Sequence, residues 1–360
     1  MLKMPIAMKE NEIERSAQDA VLACLSDVPF LQVEQSRAEA LAYGRRPDLL
    51  VKVRLPDGLQ TLACEVKNSG QPRMVREGVN ALLRYRQALP NAYGVVVAPY
   101  VSPAAAEICS QEGVGYVDLA GNCRLSFGQV YIQKEGRPNP FTQKRDLRSL
   151  YSPRATRVLR VLLNNPGKAW KVQALAQEAE VSLGQSFNIK KLLSDREWIR
   201  TGPDGFTLTD PWALLAEWTE NYDYRRNQVR DFYSLKSLSE IESGLAEACR
   251  KEGIEYALTG FSGAARMAPF VRYQRVTAYI EGGDDAVKRV ASLLNLGQVS
   301  SGPNVSLWTP YDSGVFYGVR GFDGISVVSP IQLYLDLRRL HGRGEDAADF
   351  LLVTSLKPQW

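Results

Sequence analysis

The sequence predicts a mixed α/β and α+β protein of several domains. Three observations lead there. At 360 residues the chain exceeds one ordinary domain. Its apolar residues alternate between strand-like period two and helix-like spacing, with no internal repeat. Its charge is uneven: net +4 overall, but 12 Lys/Arg against 5 Asp/Glu between Lys144 and Arg200. Segments at residues 1–140, 147–220 and 235–360 follow from these patterns.

The composition, 45% hydrophobic and 23% charged, is that of a soluble globular chain. No apolar run reaches the roughly 18 residues of a membrane span. The start, "MLKMPIAMKENEIERSAQDAV", lacks an apolar core and a small-residue cleavage site, so a cytoplasmic protein without membrane contact is expected. Cys24, Cys64, Cys109, Cys123 and Cys249 are odd in number and without a CxxC pair, which argues against disulfides and structural zinc. The single histidine, His341, excludes His-based metal clusters and disfavours a Ser-His-Asp triad. Catalysis, if present, has to run on carboxylates, lysine and a bound metal.

In the first segment, residues 9–26 read as an amphipathic helix and "FLQVEQ" as a strand. "RMVREGVNALLRYRQAL" places Val75, Val79, Leu82, Leu83 and Leu89 at helical spacing. "AYGVVVAPYV" is a buried-strand pattern, and Ser102-Pro103 opens a helix with serine at the N-cap and proline at N1. Short strands follow, and "KEGRPNPFTQKRD" (134–146) is linker-like.

The stretch "RRPDLLVKVRLPDGLQTLACEVKNSG" (45–70) reads as a hairpin. Asp57-Gly58 is taken as the centre of a type I′ turn, which sets Asp48 against Lys67 and Leu50 against Glu65. Period-two alternation then puts Asp48, Glu65 and Lys67 on one face and Leu49, Val51, Val53, Leu62, Cys64 and Val66 on the other. Two such carboxylates could hold Mg²⁺, and a neighbouring lysine could orient water or stabilise developing charge. A cross-strand Asp48–Lys67 ion pair on a wet face is the alternative. With this element order, the pattern resembles the PD-(D/E)xK nuclease superfamily, a restriction-endonuclease-like fold. The resemblance implies Asp48 and Glu65 as metal ligands, Lys67 as catalytic lysine, and Glu12 or Glu14 as a first-helix glutamate. Arg73, Arg76, Arg84 and Arg86 would follow as a phosphate track or as a solvated helix face.

In the second segment, Val158, Leu159, Leu162 and Leu163 give a first helix its core face. "VQALAQEA" is a second helix, Glu180-Val181 a turn, and Ser182 the N-cap of a third helix, "LGQSFNIKKLLSD". "WIRTGPDGFTL" is a hairpin. The whole resembles a winged helix-turn-helix. That resemblance points Ser182, Gln185, Ser186 and Lys190 at double-stranded DNA, with Lys190, Lys191 and Arg200 on phosphate and no cofactor needed. Leu183, Phe187, Ile189, Leu192 and Leu193 are expected in the core. A fold used only for packing or dimerisation is the alternative.

In the third segment, "YALTGFSGAARMAPFVRYQRVTAYIE" (256–281) resembles the core of minimal nucleotidyltransferases, an α+β fold. Gly260, Ser262, Gly263, Arg275 and Thr277 fit its frame, while Tyr279 and Glu281 stand at the acidic pair. Tyrosine cannot replace a carboxylate on Mg²⁺, so the resemblance implies a degenerate site. An ordinary glycine-rich turn is the alternative.

"VVSPIQLYLDLRRLHGRGEDAADFLL" (327–352) and "GVGYVDLAGNCRLSF" (113–127) resemble AbiEi-type antitoxins, the bacterial transcriptional regulators of type IV toxin–antitoxin systems. The resemblance implies a DNA-binding regulator with double-stranded DNA and a cognate toxin as partners, the toxin being of nucleotidyltransferase type. A homodimer stays open. A Mg²⁺-dependent endonuclease using Asp48, Glu65 and Lys67 is the competing enzyme reading.

Overall fold

The computed structural model describes residues 10–38, 47–86, 89, 91–141, 150–270 and 272–360. The chain divides into two compact units, Met1–Asp146 with Leu193–Glu197, and Leu147–Leu192 with Trp198–Trp360. Each carries a mixed sheet. Among the described residues no helix is long and apolar enough to cross a membrane.

The first unit is built on a seven-stranded sheet whose spatial order follows the chain: β1 (Gln32–Ala38), β2 (Leu49–Leu55), β3 (Gly58–Val66), β4 (Ala92–Ala98), β5 (Gly115–Asp118), β6 (Cys123–Phe127) and β7 (Val130–Lys134). β3, β4 and β5 run parallel, joined by helices α2 (Pro72–Arg86) and α3 (Pro103–Gln111); the other pairs are antiparallel. Helix α1 (Glu10–Leu25) packs Ala17, Val21 and Leu25 with Val51, Leu62, Cys64 and Val95 on one side of the sheet. Val75, Val79 and Leu82 of α2 pack with Ala63, Val96 and Ala105 on the other. β2 therefore alternates, with Leu49, Val51, Val53 and Leu55 buried on one face, while on the other Leu50 is half-buried and Lys52 and Arg54 reach solvent.

The hairpin register differs from the type I′ expectation by two residues. Leu55 pairs with Gly58, so Pro56 and Asp57 are the central residues of the turn. The cause lies in Pro56. In the expected turn it would flank the loop at a position that donates to its partner, and proline has no N–H to give. One position further into the turn, its fixed negative φ suits the first central site and no donor is lost. Gly58, at φ +143, closes the turn in a conformation open to glycine. A shift of two preserves which face each side chain occupies, whereas a shift of one would have reversed it. The second hairpin repeats this solution: Gly202 pairs with Gly205 around Pro203-Asp204, and Gly205 has φ +136.

The second unit opens with α4 (Pro153–Asn164), α5 (Val172–Glu178) and α6 (Leu183–Asp195, of which residues up to Leu192 belong to this unit), then the hairpin β8 (Ile199–Gly202) and β9 (Gly205–Leu208). Trp170 adds a bridge to Phe206, exchanging N–H···O bonds of 2.8 and 2.9 Å. Gly205 is required there, since a Cβ would meet the Trp170 carbonyl oxygen at 2.3 Å.

Helix α7 (Pro211–Asn221), N-capped by Asp210, leads into a second mixed sheet. Its order is β13 (Gly297–Gln298), β10 (Gln228–Tyr233), β14 (Val305–Thr309), β12 (Val276–Ile280), β11 (Tyr256–Leu258), β16 (Ile325–Val327) and β15 (Arg320–Phe322). Helices α8 (Leu238–Glu252) and α10 (Gly283–Leu293) cover one face with Ile241, Leu245, Val287 and Val290. α9 (Gly260–Met267) and α11 (Pro330–Leu337) pack with each other and, through α9, against β12; α12 (Gly344–Leu351) packs on both helices.

A buried polar cluster joins these helices. Asp336 is fully buried, and its Oδ1 accepts from Tyr222 (2.5 Å), Gln332 Nε2 (3.0 Å) and Tyr279 (3.1 Å), while Oδ2 accepts from Thr259 (2.5 Å). Gln332 Oε1 in turn accepts from Arg160 Nη2 at 2.5 Å, and that guanidinium lies over the Trp218 ring. These bonds tie α4 to α11 through groups that water does not reach. Truncating the carboxylate would strand several donors at once. Asp336→Ala is expected to lower stability by about 3 kcal/mol or more, read as a drop in the urea midpoint; an unchanged midpoint would refute this role.

Candidate functional site

The first candidate site sits at the end of the β2–β3 ribbon. One step beyond the last ladder pair, Leu49–Cys64, the register sets Asp48 across from Glu65. The expected opposition of Asp48 and Lys67 is thus corrected to Asp48 and Glu65, for the reason Pro56 supplies. Asp48 Oδ2 accepts the Val66 N–H at 2.7 Å, which pins the carboxylate to the strand end. Lys67 Nζ donates to Glu65 Oε1 at 2.8 Å, and Tyr85 of α2 donates its hydroxyl to Glu65 Oε2 at 3.2 Å. The Asp48–Lys67 ion pair does not form; the lysine goes to Glu65 instead.

The face carrying these groups is not wet. Glu65 is only 8% exposed, because α2 covers this side of the sheet with Val75, Val79 and Leu82. Gly78 of α2 leaves room for the Lys67 stem, which a Cβ there would meet at 3.3 Å. Burial raises the Glu65 pKa above its ordinary value, the hydrogen bond from Lys67 opposes that, and the neighbouring Asp48 charge adds to it. Burial and the Glu65 charge also push the Tyr85 phenol up to about 12.

As a metal cradle the site offers two carboxylates. Each keeps acceptor lone pairs beyond its present partners, so the donors suit a hard cation that retains several waters, as Mg²⁺ does. Among the described residues no cluster of three or more His, Cys, Asp or Glu forms a metal cage. The side chains of Glu12 and Glu14, the expected first-helix glutamates, and of Arg86 lie outside the described residues. Arg73, Arg76 and Arg84 are exposed along α2, Arg73 pairing with Glu77 at 3.6 Å.

The second candidate site is the outward face of α6. Ser182 caps it, accepting from the Gln185 N–H at 3.2 Å. Ile189 and Leu193 point into the core, as the sequence implies. Ser186 does not face solvent: it is fully buried and donates its hydroxyl to the Val172 carbonyl at 3.2 Å, locking α6 to α5. Leu183 and Phe187, expected inside, are 57% and 60% exposed. The helix is therefore turned so that Ser182, Leu183, Phe187, Asn188 and Lys191 line its outer face, with Gln185 and Lys190 half-buried at its edges. The burial of Ile189 and Leu193, four residues apart, sets this rotation, and Ser186 lies on the same side. Asn188 was not singled out from the sequence, although its spacing from Lys191 is a helical one. Lys190 Nζ lies 5.3 Å from the centre of the Phe206 ring, and Arg200 is exposed on β8.

The third segment shows no open nucleotide cradle at its small-residue loop. Ser262 is fully buried, donates to the Thr259 and Thr277 carbonyls, and accepts the Thr277 N–H. A Cβ at Gly263 would meet the Leu258 carbonyl oxygen at 3.1 Å. Tyr279 belongs to the Asp336 cluster, Arg275 donates to the Pro303 carbonyl, and burial raises the Glu281 pKa. His341 lies exposed beside Arg225, Arg339 and Tyr222 at an open cavity of about 480 Å³.

Residues 207–356 match the model of a family described as a transcriptional regulator, the AbiEi antitoxin of type IV toxin–antitoxin systems. No curated protein sequence matches the chain. Among solved structures, EndoMS in complex with dsDNA is 20% identical over 28% of this chain and 43% of that chain, with a TM-score of 0.22. A repair endonuclease from Pyrococcus abyssi is 15% identical over 28% and 45%, also with a TM-score of 0.22. The chain spans less than half the length of these solved chains.

Burial favours the neutral form of Glu65, so the folded chain keeps that proton to higher pH than the unfolded chain does. The stabilisation is complete below the ordinary value of 4.5 and is lost as pH rises through the window up to the raised one. Glu65→Gln cannot titrate and is expected to gain stability relative to the wild type across that window. Urea unfolding at several pH values reads this, and a pH-independent difference would count against it.

Proposed function

We propose that the protein is a DNA-binding transcriptional regulator of antitoxin type, whose second unit reads double-stranded DNA through a winged helix-turn-helix. The observation that carries this is the outer face of α6, where Ser182, Asn188 and Lys191 are exposed, with Arg200 exposed on the hairpin that follows, in a segment with a local excess of seven positive charges. Three helices followed by a two-stranded wing support the assignment. In such a fold the third helix enters the major groove by its N-terminal part, and the wing tracks phosphate. Gln185, Asn188 and Ser182 then face base edges, while Lys190, Lys191 and Arg200 neutralise phosphates. Ser186 acts indirectly, by holding α6 to α5.

The antitoxin-family match over residues 207–356 supports the regulatory reading and suggests a cognate toxin as protein partner. The degenerate nucleotidyltransferase-like reading of the third segment fits a binding role: Tyr279 is committed to the Asp336 cluster and unavailable to a metal. On this reading the first unit has a restriction-endonuclease-like core, from α1 through β4, that holds DNA or a partner.

With the full-length protein, a gel shift on its own promoter fragment is expected to weaken steeply with salt. Lys190→Ala, Lys191→Ala and Arg200→Ala should each reduce affinity across all sequences and lower the salt slope by about 0.9 for every phosphate no longer neutralised. Salt-independent binding, or none, would sink the proposal.

The second reading, a Mg²⁺-dependent endonuclease, is favoured by one observation: Asp48, Glu65 and Lys67 converge at one strand end. Asp48 and Glu65 would hold the metal, which polarises the phosphodiester and activates water. Lys67 would trade its bond to Glu65 for the attacking water or the developing charge. Cleavage of supercoiled plasmid in Mg²⁺, lost in Lys67→Ala, is the expected signature. If the wild type leaves plasmid intact in both Mg²⁺ and Mn²⁺ while still shifting DNA, the regulator alone stands.

A further inference from the structure

The apolar pair on α6 lies outside the core. Leu183 and Phe187 are 57% and 60% exposed, four residues apart, and so adjacent on one helix face. The exposed residues that share the helix with them are polar or basic, Ser182, Asn188 and Lys191, and Lys171 and Arg200 are exposed on the neighbouring elements of the same segment. Neither side chain can hydrogen-bond to a base or a phosphate. In the major groove, duplex DNA displays one apolar substituent, the 5-methyl group of thymine.

We infer that Leu183 and Phe187 form an apolar reading strip that recognises thymine 5-methyl groups in the major groove. The inference rests on the DNA-reading assignment of α6 and adds to it the base that is read. Leu183 opens the helix and Phe187 follows one turn later, so both lie in the part that approaches base edges. A rise of about 6 Å separates them, close to two base-pair steps of about 3.4 Å. The strip therefore selects thymines at neighbouring steps, and Asn188 beside it can pair with adenine N6 and N7. A second copy of the chain is the less suitable occupant. Two partly exposed side chains offer on the order of 200 Å² against the roughly 800 Å² a side of a stable interface. The surrounding lysines and arginine would also repel their counterparts across a two-fold axis, whereas they complement DNA.

The test uses the full-length protein and a duplex that it enriches from a random-sequence library. The same duplex is then made with deoxyuridine in place of thymidine. Removing each methyl that the strip touches is expected to weaken binding roughly 4-fold. Leu183→Ala and Phe187→Ala should each reduce the thymine-to-uracil preference, the double variant should bind the two duplexes with nearly equal affinity, and all should keep the wild-type urea midpoint, since neither side chain is in the core. Lys191→Ala should weaken both duplexes by the same factor. Equal affinity of the wild type for both duplexes, with salt-sensitive binding intact, would overturn the inference and leave the DNA-reading assignment standing. If no duplex is enriched, the assignment itself falls and the inference with it. If Phe187→Ala dissociates a dimer while the thymine-to-uracil ratio is unchanged, the strip is a self-interface and the inference is wrong.

Discussion

A charge removed from water has to be met by donors or acceptors fixed in place, and both units of this protein are arranged around that requirement. In the second unit Asp336 accepts hydrogen bonds from four side chains drawn from four elements or their edges. Glu242, also buried, is met by Arg266 and by the Tyr273 hydroxyl at 2.7 Å. In the first unit the buried Asp118 takes the N–H groups of Asn122 and Val101 and the Asn122 side-chain amide. Each acid fixes the relation between separate elements, and Asp336 joins residues as far apart as Tyr222 and Thr259 are from it in sequence. Apolar packing alone is non-directional and would leave those relations looser.

Glu65 differs from these acids in how it is satisfied. Its partners are a lysine two residues away and a tyrosine on the covering helix, and another carboxylate faces it across the ribbon. Two like charges at a partly dehydrated strand end oppose each other, and burial adds to the strain on the ionised form. Asp336 and Asp118 are surrounded by neutral donors; this pair is not. That contrast gives the strand end the character of a site in search of positive charge, whether a cation supplies it or Lys67 alone does.

Much of the first unit was legible from residue patterns. Period-two alternation from Leu49 to Val53 and from Leu62 to Cys64 assigns faces correctly, because parity depends only on spacing. The register was not legible from the Asp-Gly signal, since the missing N–H of Pro56 outweighs it. Helix α6 was found at its bounds and Ile189 and Leu193 were rightly placed inward, but its rotation was not found: Leu183 and Phe187 were assigned inward as well, whereas the core takes Ser186. Apolar residues on an exposed face defeat a reading that equates hydrophobicity with burial. The Asp336 cluster joins residues up to 172 positions apart, as between Arg160 and Gln332. A polar pair, Gln332 and Asp336, inside the otherwise apolar "PIQLYLDL" was the one local sign of it.

The bond from Arg160 to Gln332 bears on how the gene is dissected. Arg160 lies on α4, the first helix of the second unit, yet its guanidinium is sealed by Trp218 and by a glutamine more than 170 residues downstream. A truncation that ends before Pro330 would leave that cation without its acceptor beside an apolar surface. Fragments cut at the apparent linkers would then report the damage of excision rather than the behaviour of the module. Point substitution in the intact chain is the cleaner genetic tool, and a deletion map of this gene would place its functional boundaries too far apart.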